Sequence, residues 1–238
     1  MSNSIFLTAE WRKLAMANYA VDPGLLQRYV PRGTELDTWN ATCYVSLVAF
    51  MFERTCVMGC RIPFHQDFEE VNLRFYVRYK DGGNWKRGVV FIREFVPLRM
   101  VTFVANTFYD ECYQTFPMRH TITIAPETLE VEYKWKKGDW NRFGVTAANK
   151  PFTLIAGSQE EFITEHFWGY GARGPQLSEY QVAHDPWQLY PVNSYMMDVN
   201  FEACYGTDFR FLQGNEPTSV FLAEGSEIQV YKDRKISI

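Results

Sequence analysis

Between residues 71 and 80 the chain alternates without a break. Val71, Leu73, Phe75, Val77 and Tyr79 are separated by Asn72, Arg74, Tyr76, Arg78 and Lys80. Side chains on a strand point to opposite faces in turn, so this period puts apolar groups on one face and polar groups on the other. Asp81-Gly82-Gly83-Asn84 is a turn signal, and Trp85 to Glu94 runs back as the partner strand. A long hairpin of this kind needs a larger sheet to join. The aromatic content, 17% of the chain, suits β-structure and aromatic-lined cavities.

Other segments repeat the theme. Leu129, Val131, Tyr133 and Trp135 alternate with Glu and Lys, Lys137-Gly138-Asp139 turns, and Trp140 to Thr146 returns. Strands are also predicted over 14–20, 42–52, 120–124, 180–183, 187–190, 220–223 and 228–231, with Gly225-Ser226 as the last turn. Asp22-Pro23 opens a short helix stopped before Pro31, and a second helix is predicted from 97 to 109. Ser158-Gln159-Glu160-Glu161 is a capping box for a third, with Phe162, Ile163 and Phe167 on one face and Gly169 as its stop. About ten strands and three helices in this order do not make βαβ units. The expectation is a mainly β (α+β) fold, a curved antiparallel β-barrel or cone with a few peripheral helices. No Pro/Ser/Gly-rich linker or repeat divides the 238 residues, so a single domain over 1–238 is expected.

Composition excludes some functions. The formal net charge is −4, without the basic excess a general nucleic-acid binder needs. No apolar run is long enough for a membrane span, and Met1-Ser2-Asn3-Ser4 does not open a signal peptide, so a cytoplasmic location is expected. Five cysteines, an odd number in a chain that is not small, argue against a disulfide framework. Cys56 and Cys60 form a C-x3-C pair with no third cysteine nearby, read as ordinary thiols more readily than as a cluster site. None of His65, His120, His166 and His184 pairs with another at metal-ligand spacing. No P-loop, G-x-S-x-G or H-E-x-x-H is present, and no cofactor is expected. Gly169 to Gly174 has dinucleotide-like glycine spacing but follows a predicted helix, so it reads as a loop.

Two aromatic islands each hold a titratable group, Glu165-His166-Phe167-Trp168-Gly169-Tyr170 and His184-Asp185-Pro186-Trp187. They could line a pocket or serve as hydrogen-bonded packing. Glu69-Glu70, Arg93-Glu94 and Arg12 sit at the ends of apolar stretches. Such charges are either solvated or converge in a barrel mouth, where an Arg would recognise a carboxylate and a Glu would act as acid or base.

Phe68 to Val77, Val90 to Pro97 and His166 to Tyr170 resemble the bacterial family labelled domain of unknown function 2071, over nearly the whole chain. That family is grouped by fold with the acetoacetate decarboxylases, which implies a curved antiparallel barrel around an apolar pocket. By the spacing of Arg12 to Asp22 and Pro31, Arg12 resembles the decarboxylases' catalytic arginine. Phe68-Glu69-Glu70 resembles their Y-T-E motif, which places Glu70 on their active-site glutamate. Their second glutamate would fall near Val45 or Ser46, and neither is acidic. Their imine-forming lysine follows G-R-E and a proline; here Arg93-Glu94-Phe95-Val96-Pro97 is followed by Leu98 and Arg99. A guanidinium does not deprotonate at usable pH, so it cannot form the imine.

The candidate ligand-binding residues are therefore Arg12, Glu70, Arg93, Glu94, Arg99, His166, Trp168 and His184, with Arg12 and Glu70 the candidates for catalysis and an Arg12–Glu70 pair expected in one site. Three functions remain open. The first is a barrel binding a small, largely apolar ligand with a polar or anionic end. The second is an enzyme using Arg12 and Glu70 for acid/base chemistry on a carboxylate or carbonyl substrate. The third is a structural protein with a filled barrel. The expected partner is a small molecule, with neither nucleic acid nor membrane, and homo-oligomers remain open.

Overall fold

The computed structural model describes residues 4–108, 111–171 and 176–237. Its strands are β1 (Ile5–Val21), β2 (Thr34–Leu36), β3 (Cys43–Val57), β4 (Phe68–Asp81), β5 (Asn84–Val96), β6 (Tyr113–Thr115), β7 (Met118–Ile124), β8 (Thr128–Lys137), β9 (Asp139–Ala148), β10 (Phe152–Thr153), β11 (Trp168–Gly171), β12 (Leu177–His184), β13 (Gln188–Tyr190), β14 (Val192–Asp198), β15 (Ser219–Tyr231) and β16 (Arg234–Ile236). The helices are α1 (Pro23–Leu26), α2 (Arg99–Phe108), α3 (Gln159–Thr164) and α4 (Phe201–Tyr205).

Seven strands pair in a closed circuit, β15–β1–β3–β4–β5–β11–β12, and β12 returns to β15 through Val182–Val230, Ala183–Gln229 and His184–Ile228. Closure removes the edges that an open sheet would expose. The circuit is antiparallel except between β5 and β11, which run parallel. A parallel pair needs a long crossover, and the chain between them supplies it by building β7, β8 and β9 of a second sheet, β14-β9-β8-β7, which β14 joins later in the chain.

That second sheet covers the outside of the first. Tyr133 and Trp135 of β8 and Phe143 of β9 pack in one apolar cluster with Leu73 and Phe75 of β4. A separate cluster fills part of the ring's inside, with Phe50, Phe52, Phe68, Tyr76 and Trp187. Both faces of β4 are therefore buried from Phe68 to Val77. The polar face of the alternating segment is not a solvent face, for Glu70, Asn72, Arg74 and Tyr76 point into the ring.

The structure corrects two predicted elements. Gly225-Ser226 is not a turn between strands, because β15 runs through it. Gly225 has φ 84 and lies opposite Arg12, and a Cβ there would stand 1.8 Å from the Trp11 carbonyl oxygen. The glycine lets β15 run close past Lys13, whose φ is 55 and where β1 bulges against β3. In the 158–169 segment Ser158 does cap α3, accepting from the Glu161 amide at 3.2 Å. The helix ends at Thr164 and does not reach Gly169, which belongs to β11. Here the glycine serves close approach, since a Cβ on it would lie 2.1 Å from the Tyr180 ring. The expected loop at Gly169–Gly174 falls partly outside the described residues, at 172–174. Among the described residues no helix is long and apolar enough to cross a membrane.

Candidate functional site

The inside of the ring is not filled. A cavity of ≈ 180 Å³ remains, walled by Trp11, Phe50, Phe52, Phe91 and Trp187 and closed on one side by Val101 and Val104 of α2. Its volume is comparable to the ~150 Å³ apolar cavity that takes up benzene in another protein. It therefore suits a molecule of about that size or slightly longer.

Three carboxyl groups meet this apolar space. Glu70 and Glu94 are 2% and 1% exposed, and Glu111 is also buried. Glu94 stands opposite Asn72 across the β4–β5 ladder, on the face that Glu70 shares. Asn72 Nδ2 donates to Glu70 Oε1 at 2.9 Å and the Tyr113 hydroxyl donates to Oε2 at 2.8 Å. The Tyr180 hydroxyl donates to Glu111 Oε1 at 2.7 Å. Tyr113 is held in place by Asn106 of α2, which accepts from its amide at 2.8 Å and donates to its carbonyl at 3.0 Å. Glu94 lies within hydrogen-bonding reach of Glu111 and Tyr113, while its Oε2 has no partner.

Three buried carboxyls cannot all ionise. Burial pushes Glu70 up to about 7, against the pull of Asn72, Tyr113 and the Arg74 charge. Burial raises Glu94 well above the carboxylate range, and the neighbouring Glu111 and Glu70 add to that. Glu94 is thus driven toward its protonated form, while Glu70, at about 7, can give or take a proton near neutral pH.

The cation in the cavity is Arg74. It is 7% exposed, lines the space, and makes no ion pair among the described residues. Its Nη2 donates to the Ile163 carbonyl at 3.4 Å, its Nε has no partner, and it lies over the Tyr76 ring at 5.7 Å. A buried guanidinium with open donors is costly unless an anion reaches it.

His166 faces the cavity beside it. Burial lowers its pKa to about 4, so it is neutral at pH 7. Its Nε2 lies 3.2 Å from Asp37 Oδ2, which also accepts from Arg87 Nε at 2.6 Å. Burial alone would raise Asp37, but the bonds from His166 and Arg87 outweigh it and hold Asp37 ionised. Nε2 has two neighbours, Asp37 Oδ2 at 3.2 Å, which accepts, and Arg87 Nη2 at 3.4 Å, which donates; the shorter Asp37 contact puts the proton on Nε2, and Nδ1 has no partner.

Of the residues singled out from sequence, Glu70, Glu94, His166, Trp168 and His184 line the cavity. Arg12, Arg93 and Arg99 do not. Arg12 pairs in register with Met51, which pairs with Glu69, so Arg12 and Glu70 occupy opposite faces of the sheet. The expected Arg12–Glu70 pair does not form. Arg12 instead donates to Glu10 from Nε at 2.8 Å. Arg93 points to the outer face and donates to the Cys204 carbonyl at 3.0 Å. A bulge between Leu73 and Arg74 sets this, because it advances β5 by one residue. Arg99 is exposed on α2. Sequence reasoning missed Arg74 and Asn72 as site residues, although both stood in the alternating row. It also missed Glu111, Tyr113, Tyr180 and Asp37, which come from distant segments with no local pattern.

With this geometry in hand, the chain can be set beside known proteins. Residues 8–227 match the family labelled domain of unknown function 2071, described as an uncharacterized conserved protein. The chain belongs to that family. A relative, the uncharacterized protein YqjF of Bacillus subtilis, is 28% identical over 184 residues, 75% of this chain and 73% of that protein. Acetoacetate decarboxylase from Legionella pneumophila superposes with TM-score 0.66 over 97% of this chain and 87% of its own, at 14% identity. The enduracididine biosynthesis enzyme MppR superposes with TM-score 0.67 over 100% and 89%, at 12% identity. At such identities the likeness shows the fold alone, and that fold is acetoacetate decarboxylase-like. In this member of the family no lysine lines the cavity among the described residues.

Proposed function

We propose that this protein binds a small, largely apolar molecule with an anionic end inside the ring, and that it forms no imine with it. Arg74 carries the reading: a buried guanidinium with an unpartnered Nε, in a wall otherwise rich in rings. The anionic end sits on Arg74, and the apolar body lies against Phe50, Phe91 and Trp187. The carboxylate cluster lies further along β4, so the pocket is bipolar, with a cationic end and an acidic one.

Calorimetric titration with pentanoate and with 1-pentanol tests this. Hydrogen bonds to a charged group are worth about 1.5–3 kcal/mol, so pentanoate is expected to bind about 10- to 100-fold tighter than the alcohol. Arg74→Gln removes that preference. Equal affinity for acid and alcohol, or a preference that survives Arg74→Gln, overturns the reading.

A further inference from the structure

Resting on that anion-binding reading, we infer that Glu70 and Glu94 form a proton-transfer pair acting on a keto acid, with Arg74 holding the substrate's carboxylate and its ketone set against the two glutamates. The acidic cluster does not stand alone here. It faces a cavity, and two buried residues that line the same cavity each keep a polar atom without a hydrogen-bond partner, Glu94 at Oε2 and Arg74 at Nε. A wall built only for packing would gain nothing from either.

The geometry selects the class of substrate. Glu70 and Arg74 are four residues apart on β4, so their Cα atoms are separated by about 13 Å. They share a face but form no ion pair, and the guanidinium leans to Ile163 and Tyr76. A molecule spanning both needs its carbonyl several bonds from its carboxylate. The chemistry is enolisation, which needs no oxidant and no cofactor. The C–H bond next to the ketone breaks and its proton passes to the Glu70 carboxylate. The C–H electron pair becomes the C=C bond, and the carbonyl π pair moves to oxygen, which takes the proton of Glu94. Return of both protons restores the ketone and both side chains. The acid and the base are separated by environment: Glu94 is repelled by two carboxyls, while Glu70 is supported by Asn72, Tyr113 and Arg74.

The test uses the full chain and 4-oxopentanoate in D2O, with binding followed by calorimetry and loss of the C3 and C5 proton signals followed by NMR. General acid–base catalysis contributes about 10²- to 10⁴-fold, so exchange is expected at least about a hundredfold above buffer, with Glu70→Gln and Glu94→Gln each returning it close to buffer. If Glu70→Gln fails to fold, Tyr113→Phe decides. Loss of its hydrogen bond raises the Glu70 pKa, so the rise of exchange with pH moves to higher pH. Binding without exchange overturns this inference and leaves the anion site standing. Absence of binding overturns both. Exchange that survives Glu70→Gln, or a pH profile unmoved by Tyr113→Phe, overturns the assignment of Glu70 as the base.

Discussion

Glu70 and Arg74 face one cavity from a single strand and yet do not pair. Each is buried, each sits beside an aromatic ring, and Asn72 stands between them on the same face of β4, bonded to Glu70. Opposite charges held apart in an apolar interior forgo the attraction that a close pair would have. The separation is the feature that makes the cavity bipolar.

Arg74 therefore costs the empty protein stability. Replacing even a buried ion pair by packed apolar residues is often neutral or stabilising by about 1–4 kcal/mol, and a buried charge without an ion-pair partner has less to lose. Arg74→Met is expected to raise the melting temperature of the ligand-free protein while abolishing the preference for pentanoate. A lower melting temperature with no ligand present would mean that Arg74 is a structural group.

Glu70 makes stability depend on pH with a definite sign. Its carboxyl sits at about 7 in the folded chain against an ordinary value of 4.5. Between these values the unfolded chain gives up the proton and the folded chain keeps it, so stability is lost as pH rises, by about 3 kcal/mol in all. His166 acts oppositely, because its folded pKa of about 4 lies below the ordinary 6.5 and stability is lost as pH falls. The difference between wild type and Glu70→Gln isolates the carboxyl. Denaturant midpoints should show Glu70→Gln gaining on wild type from pH 4.5 to 7 and running parallel above that. Parallel curves throughout would show that Glu70 is not shifted.

Gly169→Ala should disorder the acidic end. The added methyl falls 2.1 Å from the Tyr180 ring, whose hydroxyl holds Glu111. Overpacking of this kind costs about 1–3 kcal/mol. A melting curve unchanged from wild type would mean that the strand shifts freely and that Tyr180 is not fixed.

Arg12→Ala is expected to leave pentanoate affinity within about twofold of wild type, in the range of a surface substitution away from the site. Arg12 serves Glu10 and the Gly225 carbonyl on the other side of the sheet. A tenfold loss would return Arg12 to the binding site.

Borohydride reduction in the presence of acetone should leave the protein mass unchanged. Burial and Arg93 ease the amine of Lys137 toward neutrality. It packs on the outer cluster and donates to Gln114 and the Cys204 carbonyl. A stable adduct on any lysine would contradict the account.

The fold was largely legible in the sequence, and the site only in part. The β4–β5 and β8–β9 hairpins follow from alternation and turn residues, and both occur with the expected turns. Alternation separates two faces of a strand without saying which one meets water. The row Asn72, Arg74, Tyr76 reads as a polar face, and only closure of β12 onto β15 turns it inward. The same limit explains Arg12, where spacing gave the neighbourhood and the bulge at Lys13 and the register to Met51 gave the side. Gly225 reads as a turn because glycine marks both turns and bulges. Glu111, Tyr113 and Tyr180 lie far from Glu70 in the chain, so no local spacing could gather them.

The central claim is that an anion docks on Arg74, and NMR of the arginine Nε–H groups in ¹⁵N-labelled protein observes it directly. The resonance that disappears in Arg74→Gln should shift on titration with pentanoate and saturate with the calorimetric binding curve, while those of Arg12 and Arg93 stay in place. Saturable binding of pentanoate that leaves the Arg74 resonance unmoved would contradict the account.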